Sequence, residues 1–292
     1  MKKRGERPIE SLLFFSAFLA LIILSLIFLF LVSEALPIFW LISPLDFLLG
    51  REWMPASFTE PSYGILPLIL GTFLVVVTAI VIAVPIGIAC AIYLSEVADN
   101  RLKELLKPLL EILAGIPSVV YGFIALVFLS GIVHTIFNTT YRLNALNGGL
   151  ILALMIMPTI ITISEDAINS VPREFKEASL AMGATRWETI RIITLPAAKS
   201  GITVGVMLGL GRAVGETMAV MMATGNSPLV TFDIFRSIQT MTATIAIEMG
   251  EVVFGSPHYH ALFAVGLILF LITFAINLIA DVAISRLGVR RR

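Results

Sequence analysis

The chain has 292 residues, 58% of them hydrophobic and 14% charged, with a mean hydropathy of +0.98. A soluble domain usually carries about 25% charged residues, so this composition excludes one and describes a protein that crosses a membrane several times. The formal net charge is zero; it says nothing about partners, whereas the placement of charge along the chain does.

The chain opens on Met1-Lys2-Lys3-Arg4, followed by an apolar run over residues 11–32. That run exceeds the roughly 7 to 15 residues of a secretion signal's core and suffices for about 30 Å of hydrocarbon, so it reads as an uncleaved first membrane helix. Residues 34–63, rich in proline and carrying Trp40 and Trp53, read as an external segment with aromatic anchors at the interface. Residues 1–64 are then an N-terminal unit ahead of a five-helix core over 65–292. In that core the runs 65–94, 109–137, 148–164, 201–224 and 260–284 supply the other spans of a six-helix, all-α membrane protein. Pro85 predicts a kink in the second span. Gly115-Ile116-Pro117 interrupts the third, where carbonyls freed by proline need partners inside the bundle. The only cysteine, Cys90, sits in an apolar run, which rules out an internal disulfide. Residues 225–259 read as a solvated outer segment; Glu248, Glu251, His258 and His260 there match no compact ligand spacing. No metal, cofactor or nucleic-acid partner is expected.

Between the fourth and fifth spans, residues 170–199 predict two short helices. Glu174 and Glu177 complement the positive end of the first helix dipole, and Gly183 is free to take positive φ and end it. Thr185-Arg186-Trp187-Glu188 has the spacing of a capping box for the second, and Pro196 is expected to turn the chain toward the membrane. Phe175, Ala178 and Met182 fall on one face of the first helix, an apolar knob suited to another protein's groove or to packing on its own bundle.

The fifth span carries overlapping small-residue patterns, Gly205 to Gly209 and Gly211 to Gly215, whose face is expected to meet another helix. Counting from Ser200 at about 1.5 Å per residue puts Arg212 about 18 Å into a core about 30 Å thick. In a continuous helix Glu216 lies one turn further on the same face. A charge at that depth costs on the order of 2.5 to 3.5 kcal/mol, so it needs a partner or a polar pathway. Two readings follow, an internal Arg212–Glu216 ion pair and a substrate path; the order Arg before Glu is the weaker one for a helical pair.

Charge sets the expected topology. Lys and Arg fall on the two termini, on 95–107 and on 170–199, the exceptions being Arg51, Arg142 and Arg236 outside and Arg212 within a span. Both termini and the 170–199 loop are therefore expected on the cytoplasmic side.

Glu177-Ala178-Ser179, then Gly183, then Ile193-Thr194-Leu195-Pro196 resembles the E-A-A-x3-G-x9-I-x-L-P loop of ABC importer permeases, with Ser179 for the second alanine. The run from Gly211 to Val220 and the run from Ile116 to Gly122 are similar to those of phosphate importer permeases of the PstC branch. The sister PstA branch would place Ala-Pro where this chain has Met218-Ala219. The resemblance implies a type I ABC importer permease fold in a prokaryotic inner membrane. It also implies a heterodimer with a PstA-like sister permease, two cytoplasmic ATP-binding subunits, an external phosphate-binding protein, and phosphate as substrate. It assigns Glu177, Ala178, Ser179, Gly183, Ile193, Leu195 and Pro196 to ATPase coupling, and Arg212, Glu216 and Thr217 to the substrate pathway. The chain has no G-x-x-x-x-G-K-[ST] loop and should not itself bind ATP. From the residues alone sulfate, molybdate and phosphate all suit Arg212, and a PstA-like permease, a secondary transporter or a channel stays open. An intramembrane enzyme is disfavoured by the absence of H-E-x-x-H and of a histidine near Cys90.

Overall fold

The computed structural model describes residues 7–57 and 60–286; Lys2, Lys3, Arg4 and Arg290 to Arg292 lie outside the described residues. Among the described residues, six stretches are long and apolar enough to cross a membrane: Ile9–Trp40, Leu66–Val97, Ser118–Phe137, Ala145–Asn169, Arg186–Gly215 and Pro257–Val282.

Helix α1 (Arg7–Ala35) runs into a 3-10 turn, Leu36–Trp40, and a short α2 (Pro44–Leu49) follows, begun by Ser43, whose hydroxyl accepts the Asp46 amide. A small antiparallel ribbon, β1 (Trp53–Met54) with β2 (Ser62–Tyr63), leads into α3 (Leu66–Ile92), which ends in a π turn, Tyr93–Val97. Next comes α4 (Asn100–Gly115), capped by the Asp99 carboxylate on the Leu102 amide. The third span was expected from residue 109, yet residues 109–115 belong to α4 and the span starts at Ser118. The cause is Pro117, which holds Ile116 in extended backbone at ψ 129° and closes α4 at Gly115. The span itself is α5 (Ser118–Ile124), a π turn Ala125–Leu129, and α6 (Ser130–Phe137).

Helix α7 (Ala145–Asn169) is the axis of the bundle. Its Ile151, Leu152, Ile156 and Ile160 are wholly buried, with α3 packed along one side and α10 (Leu195–Gly215) along another. Lipid is as apolar as leucine, so burial of apolar surface alone does not hold such helices together; close approach does. A methyl group added at Gly209 would lie 2.8 Å from Ile160, and one at Gly205 would lie 3.2 Å from the Ser164 hydroxyl. The small-residue face of the fifth span therefore meets α7 at Gly205 and Gly209. The expectation does not extend to Gly215, which has open space around it.

Two short helices, α8 (Arg173–Ala181) and α9 (Arg186–Thr189), fill the loop after α7. A π turn, Ile190–Thr194, then joins α9 to α10. Pro196 does not turn the chain. The helix passes through it because the Leu195 amide bonds five residues back to the Ile190 carbonyl, so the register has already slipped where proline offers no donor. The interruption comes later. Helix α10 stops at Gly215, Glu216 is extended at ψ 132°, and α11 (Met218–Thr224) begins after Thr217.

The segment after α11 is not the solvated loop expected from its sequence. Residues 238–244 are buried, and Ile238 bridges back to Gly225. Helix α12 (Met241–Glu248) packs between α3, α11 and α13 (Pro257–Arg286). Gly71 of α3 lets the Gln239 carbonyl approach where any side chain would block it. Trp53, expected as a lipid anchor, is instead buried, its indole N–H donating to the Glu248 carboxylate at 3.0 Å. Helix α1 lies on the flank, touching α13 through Phe28 on Phe270 and Phe30 on Phe263.

Candidate functional site: a broken span and the loop that feeds it

The loop follows from local chemistry. Gly183 takes φ 89° and ends α8 after Met182. The Thr185 hydroxyl accepts the Glu188 amide at 3.2 Å while the Glu188 carboxylate accepts the Thr185 amide at 2.7 Å, a closed capping box that starts α9. Ser179 and Thr189 hydroxyls meet at 3.0 Å and fix the angle between the two helices. Phe175, Met182 and Trp187 stand exposed, Met182 at 88%, so the apolar knob is not packed on its own bundle. Glu177 and Ala178 are exposed beside it. Leu195 turns inward to the buried cluster of Ala91, Ile168, Val171 and Ala198, while Ile193 is half-buried and Pro196 exposed. Thus the residues of the loop motif divide into an outward group on α8 and a group that roots the elbow in the bundle.

Sequence reasoning missed the tethers of this elbow. Lys176 of α8 pairs with Glu96 at the end of α3, and Lys107 of α4 pairs at 3.0 Å with Glu165, a carboxylate only 2% exposed near the end of α7. Asn169 also donates to Glu165, and accepts from Ser95 at 2.6 Å. A buried charge held by one lysine and one amide couples α4 to α7 strongly, because removing either partner strands it.

Arg212 occupies the last turn of α10 and is exposed in this subunit. Among the described residues it has no carboxylate at ion-pairing distance, and Tyr121 of α5 lies within reach of its charge. The reading in which Arg212 and Glu216 share one helical face fails, because the helix ends between them. Glu216 folds forward instead: its carboxylate accepts the Ala219 amide at 3.3 Å, and its backbone carbonyl accepts the Thr242 hydroxyl at 2.9 Å. Thr217 donates to the Gly215 carbonyl at 3.4 Å. The stretch after Pro117 comes to the same place, since Gly122 lets α5 press on Ala219 and Met222 of α11. A helix interrupted between two apolar segments, with an exposed guanidinium on one side of the break, is the arrangement that membrane transport proteins use to hold polar substrates.

At the other end of the bundle, Glu248, Glu251 and His258 border a hollow of about 800 Å³ with Trp53 and Pro228. Glu248 accepts from Trp53, Gln239 and His258, while His260 bonds to the Glu34 carbonyl at 2.7 Å. The four acidic and histidine residues thus split between two places, and the described residues contain no group of three that could hold a metal.

A bundle of six spans, a capped elbow exposed beyond it and a polar break in one span define the membrane subunit of a transport system. Residues 83–292 match the family described as the binding-protein-dependent transport system inner membrane component, and the chain belongs to that family. It is 40% identical over 245 residues to the probable ABC transporter permease protein YqgH of Bacillus subtilis, covering 84% of this chain and 79% of that one. It is 38% identical over 264 residues to the phosphate transport system permease protein PstC of Mesorhizobium japonicum, covering 84% and 80%. The fold is similar to that of a chain in the crystal structure of a bacterial alginate ABC transporter, with a TM-score of 0.67 at 17% identity over 98% of this chain and 99% of the other. It also matches a chain of the methionine transporter MetNI, at 0.57 and 20% identity over 77% and 94%. The protein is a multi-pass type I ABC importer permease, which sets aside the secondary-transporter, channel and enzyme readings.

Proposed function

We propose that this chain is one half of the translocation pathway of an ATP-driven importer of inorganic phosphate. It pairs with a PstA-like sister permease, two cytoplasmic ATP-binding subunits and an external phosphate-binding protein. Its place is the inner membrane, with both termini and the α8–α9 elbow in the cytoplasm, a topology that the basic residues on 95–107 and 170–199 support. Phosphate is favoured by the PstC relatives; sulfate and molybdate are the competing oxyanions.

The observation that carries this reading is the exposed Arg212 at the broken end of α10, with no carboxylate at ion-pairing distance among the described residues. Its fork of donors suits an oxyanion that has shed part of its hydration, and a single subunit leaves it open for a path completed by the partner. Glu216, capping the next segment with its carboxylate, repels a bare dianion but accepts a hydrogen bond from a protonated phosphate, which sulfate at neutral pH has no proton to make. Thr217 adds a hydroxyl at the break. On the cytoplasmic side Glu177, Ala178 and Ser179 with the exposed Phe175 and Met182 form the surface for the ATPase, Gly183 sets the elbow, and Ile193, Leu195 and Pro196 carry its movement into α10. The chain contributes no nucleotide site and no cofactor; hydrolysis belongs to the partners.

The test is reconstitution of the chain with its sister and ATPase subunits in proteoliposomes, comparing ATP-driven uptake of phosphate and sulfate. Phosphate should be taken up and sulfate refused; Arg212→Gln should abolish uptake in a complex that still assembles and hydrolyses ATP. Full phosphate transport by that variant removes the arginine from the pathway.

A further inference from the structure

Helix α12 returns from the far end of the bundle and brings a chain of hydroxyls to the break in the fifth span. At its start the Ala243 amide donates to Thr240 Oγ1 at 3.3 Å, Thr240 and Thr242 hydroxyls meet at 3.2 Å, and Thr242 Oγ1 donates to the Glu216 carbonyl at 2.9 Å. A hydroxyl has one proton. Since Thr242 spends its proton on Glu216, Thr240 must be the donor between the two threonines, and the chain has a single direction that ends on the Glu216 backbone. All the hydroxyls concerned are buried.

The rest of α12 is fixed at both ends. The Met241 amide donates to Thr72 of α3 at 3.0 Å, and Glu248 is held by Trp53, Gln239 and His258. The residue that reaches Glu216 is therefore carried on a braced support. Glu216 is the residue whose extended backbone parts α10 from α11, and its own segment holds that conformation by long bonds: no proline follows it, its amide reaches the Ala213 carbonyl at 3.4 Å, and its carboxylate accepts the Ala219 amide at 3.3 Å.

We propose that Thr242 is a positioning residue for the pathway, holding the Glu216 carbonyl so that the span stays open and the Glu216 carboxylate stays off Arg212. Without that hydrogen bond the segment is free to rewind into a continuous helix, in which residues 212 and 216 lie four apart on one face and neutralise each other. The carboxylate would then occupy the donors meant for the anion. This inference rests on the pathway reading of Arg212 and Glu216 given above.

The experiment uses the full complex in proteoliposomes enclosing ATP, with the phosphate-binding protein and radiolabelled inorganic phosphate outside. Thr242→Val should lower the uptake rate on the order of tenfold, the scale set by one buried hydrogen bond, while Thr242→Ser stays within about twofold of the parent. Glu216→Gln should lower uptake in part and relax selectivity against sulfate. The double variant Thr242→Val with Glu216→Gln should transport at the Glu216→Gln level, because a neutral side chain no longer competes for Arg212. Parental uptake by Thr242→Val, or losses that multiply in the double variant, overturns the assignment. If valine prevents assembly, Thr242→Ala must give the same pattern, and failure of both to assemble makes Thr242 a packing residue and overturns it as well. Parental uptake and selectivity in Glu216→Gln alone, with Thr242→Val impaired, would instead remove Glu216 from the pathway, and this inference would fall with that reading.

Discussion

At the depth expected from the sequence, a guanidinium without a described carboxylate partner works against insertion by on the order of 2.5 to 3.5 kcal/mol. A residue retained for structure should stabilise the subunit; one retained for substrate should not. Arg212→Leu is accordingly expected to insert at least as well as the parent and to melt no earlier in detergent, while taking up no phosphate. Early melting of the isolated subunit would restore a structural role. Gly209 predicts the opposite split. Leucine there must displace Ile160, and overpacking of this kind destabilises by about 1 to 3 kcal/mol, so Gly209→Leu should lower the melting temperature before it touches selectivity. The contact that parts these two residues' roles was only half visible in the chain. Gly205 and Gly209 announced a close helix approach by spacing alone, whereas the isolation of Arg212 from Glu216 depends on Thr242, 26 positions beyond Glu216, and no local pattern carries that.

At the scale of elements, the α8–α9 elbow is the part most fully readable in advance, because glycine at positive φ and a capping box are both decisions made within a few residues. Gly183→Val forces a branched side chain into φ 89°, although no neighbouring atom stands in its way. The strain should reorient the elbow without unfolding the bundle, so coupled uptake should fall at least tenfold while the ATPase subunits hydrolyse ATP without transport. Thr185→Ala removes one half of the cap and should weaken α9 by about 1 kcal/mol, detected as faster amide exchange over the elbow. Helix α12 was unreadable for the opposite reason. Arg236 and Glu248 bracket it with charge and mimic a solvated loop, yet the ten uncharged residues between 238 and 247, with Thr240, Thr242 and Thr244 alternating among them, are the trace of a buried segment. Likewise the interruption at Gly115-Ile116-Pro117 was legible, but the span counted from residue 109 took in the end of α4, since hydropathy does not say that proline there parts two separate helices.

For the whole molecule, the orientation proposed from charge makes Met182 and Phe254 report from opposite sides. In a Cys90→Ser background, Phe254→Cys should react with an impermeant thiol reagent added to intact cells and Met182→Cys only after lysis; the reverse pattern would invert the topology and with it the ATPase assignment. Between those two ends the elbow and the break in the fifth span belong to one continuous rod from Arg186 to Gly215, with the π turn Ile190–Thr194 set into it. Such a turn takes one residue more than an α-helical turn to sweep the same angle, so it absorbs that residue without turning the rod. Deleting the exposed Ile192 would return the rod to an ordinary helical count, shorten it by only about 1.5 Å and leave the elbow on nearly the same bearing about the axis relative to Arg212. The ATPase would then find the same knob on the same compass bearing, and uptake by the reconstituted complex should largely survive. Removing one residue from the regular helix instead, at the exposed Leu208, would swing the elbow through about 100° relative to Arg212, and transport should stop.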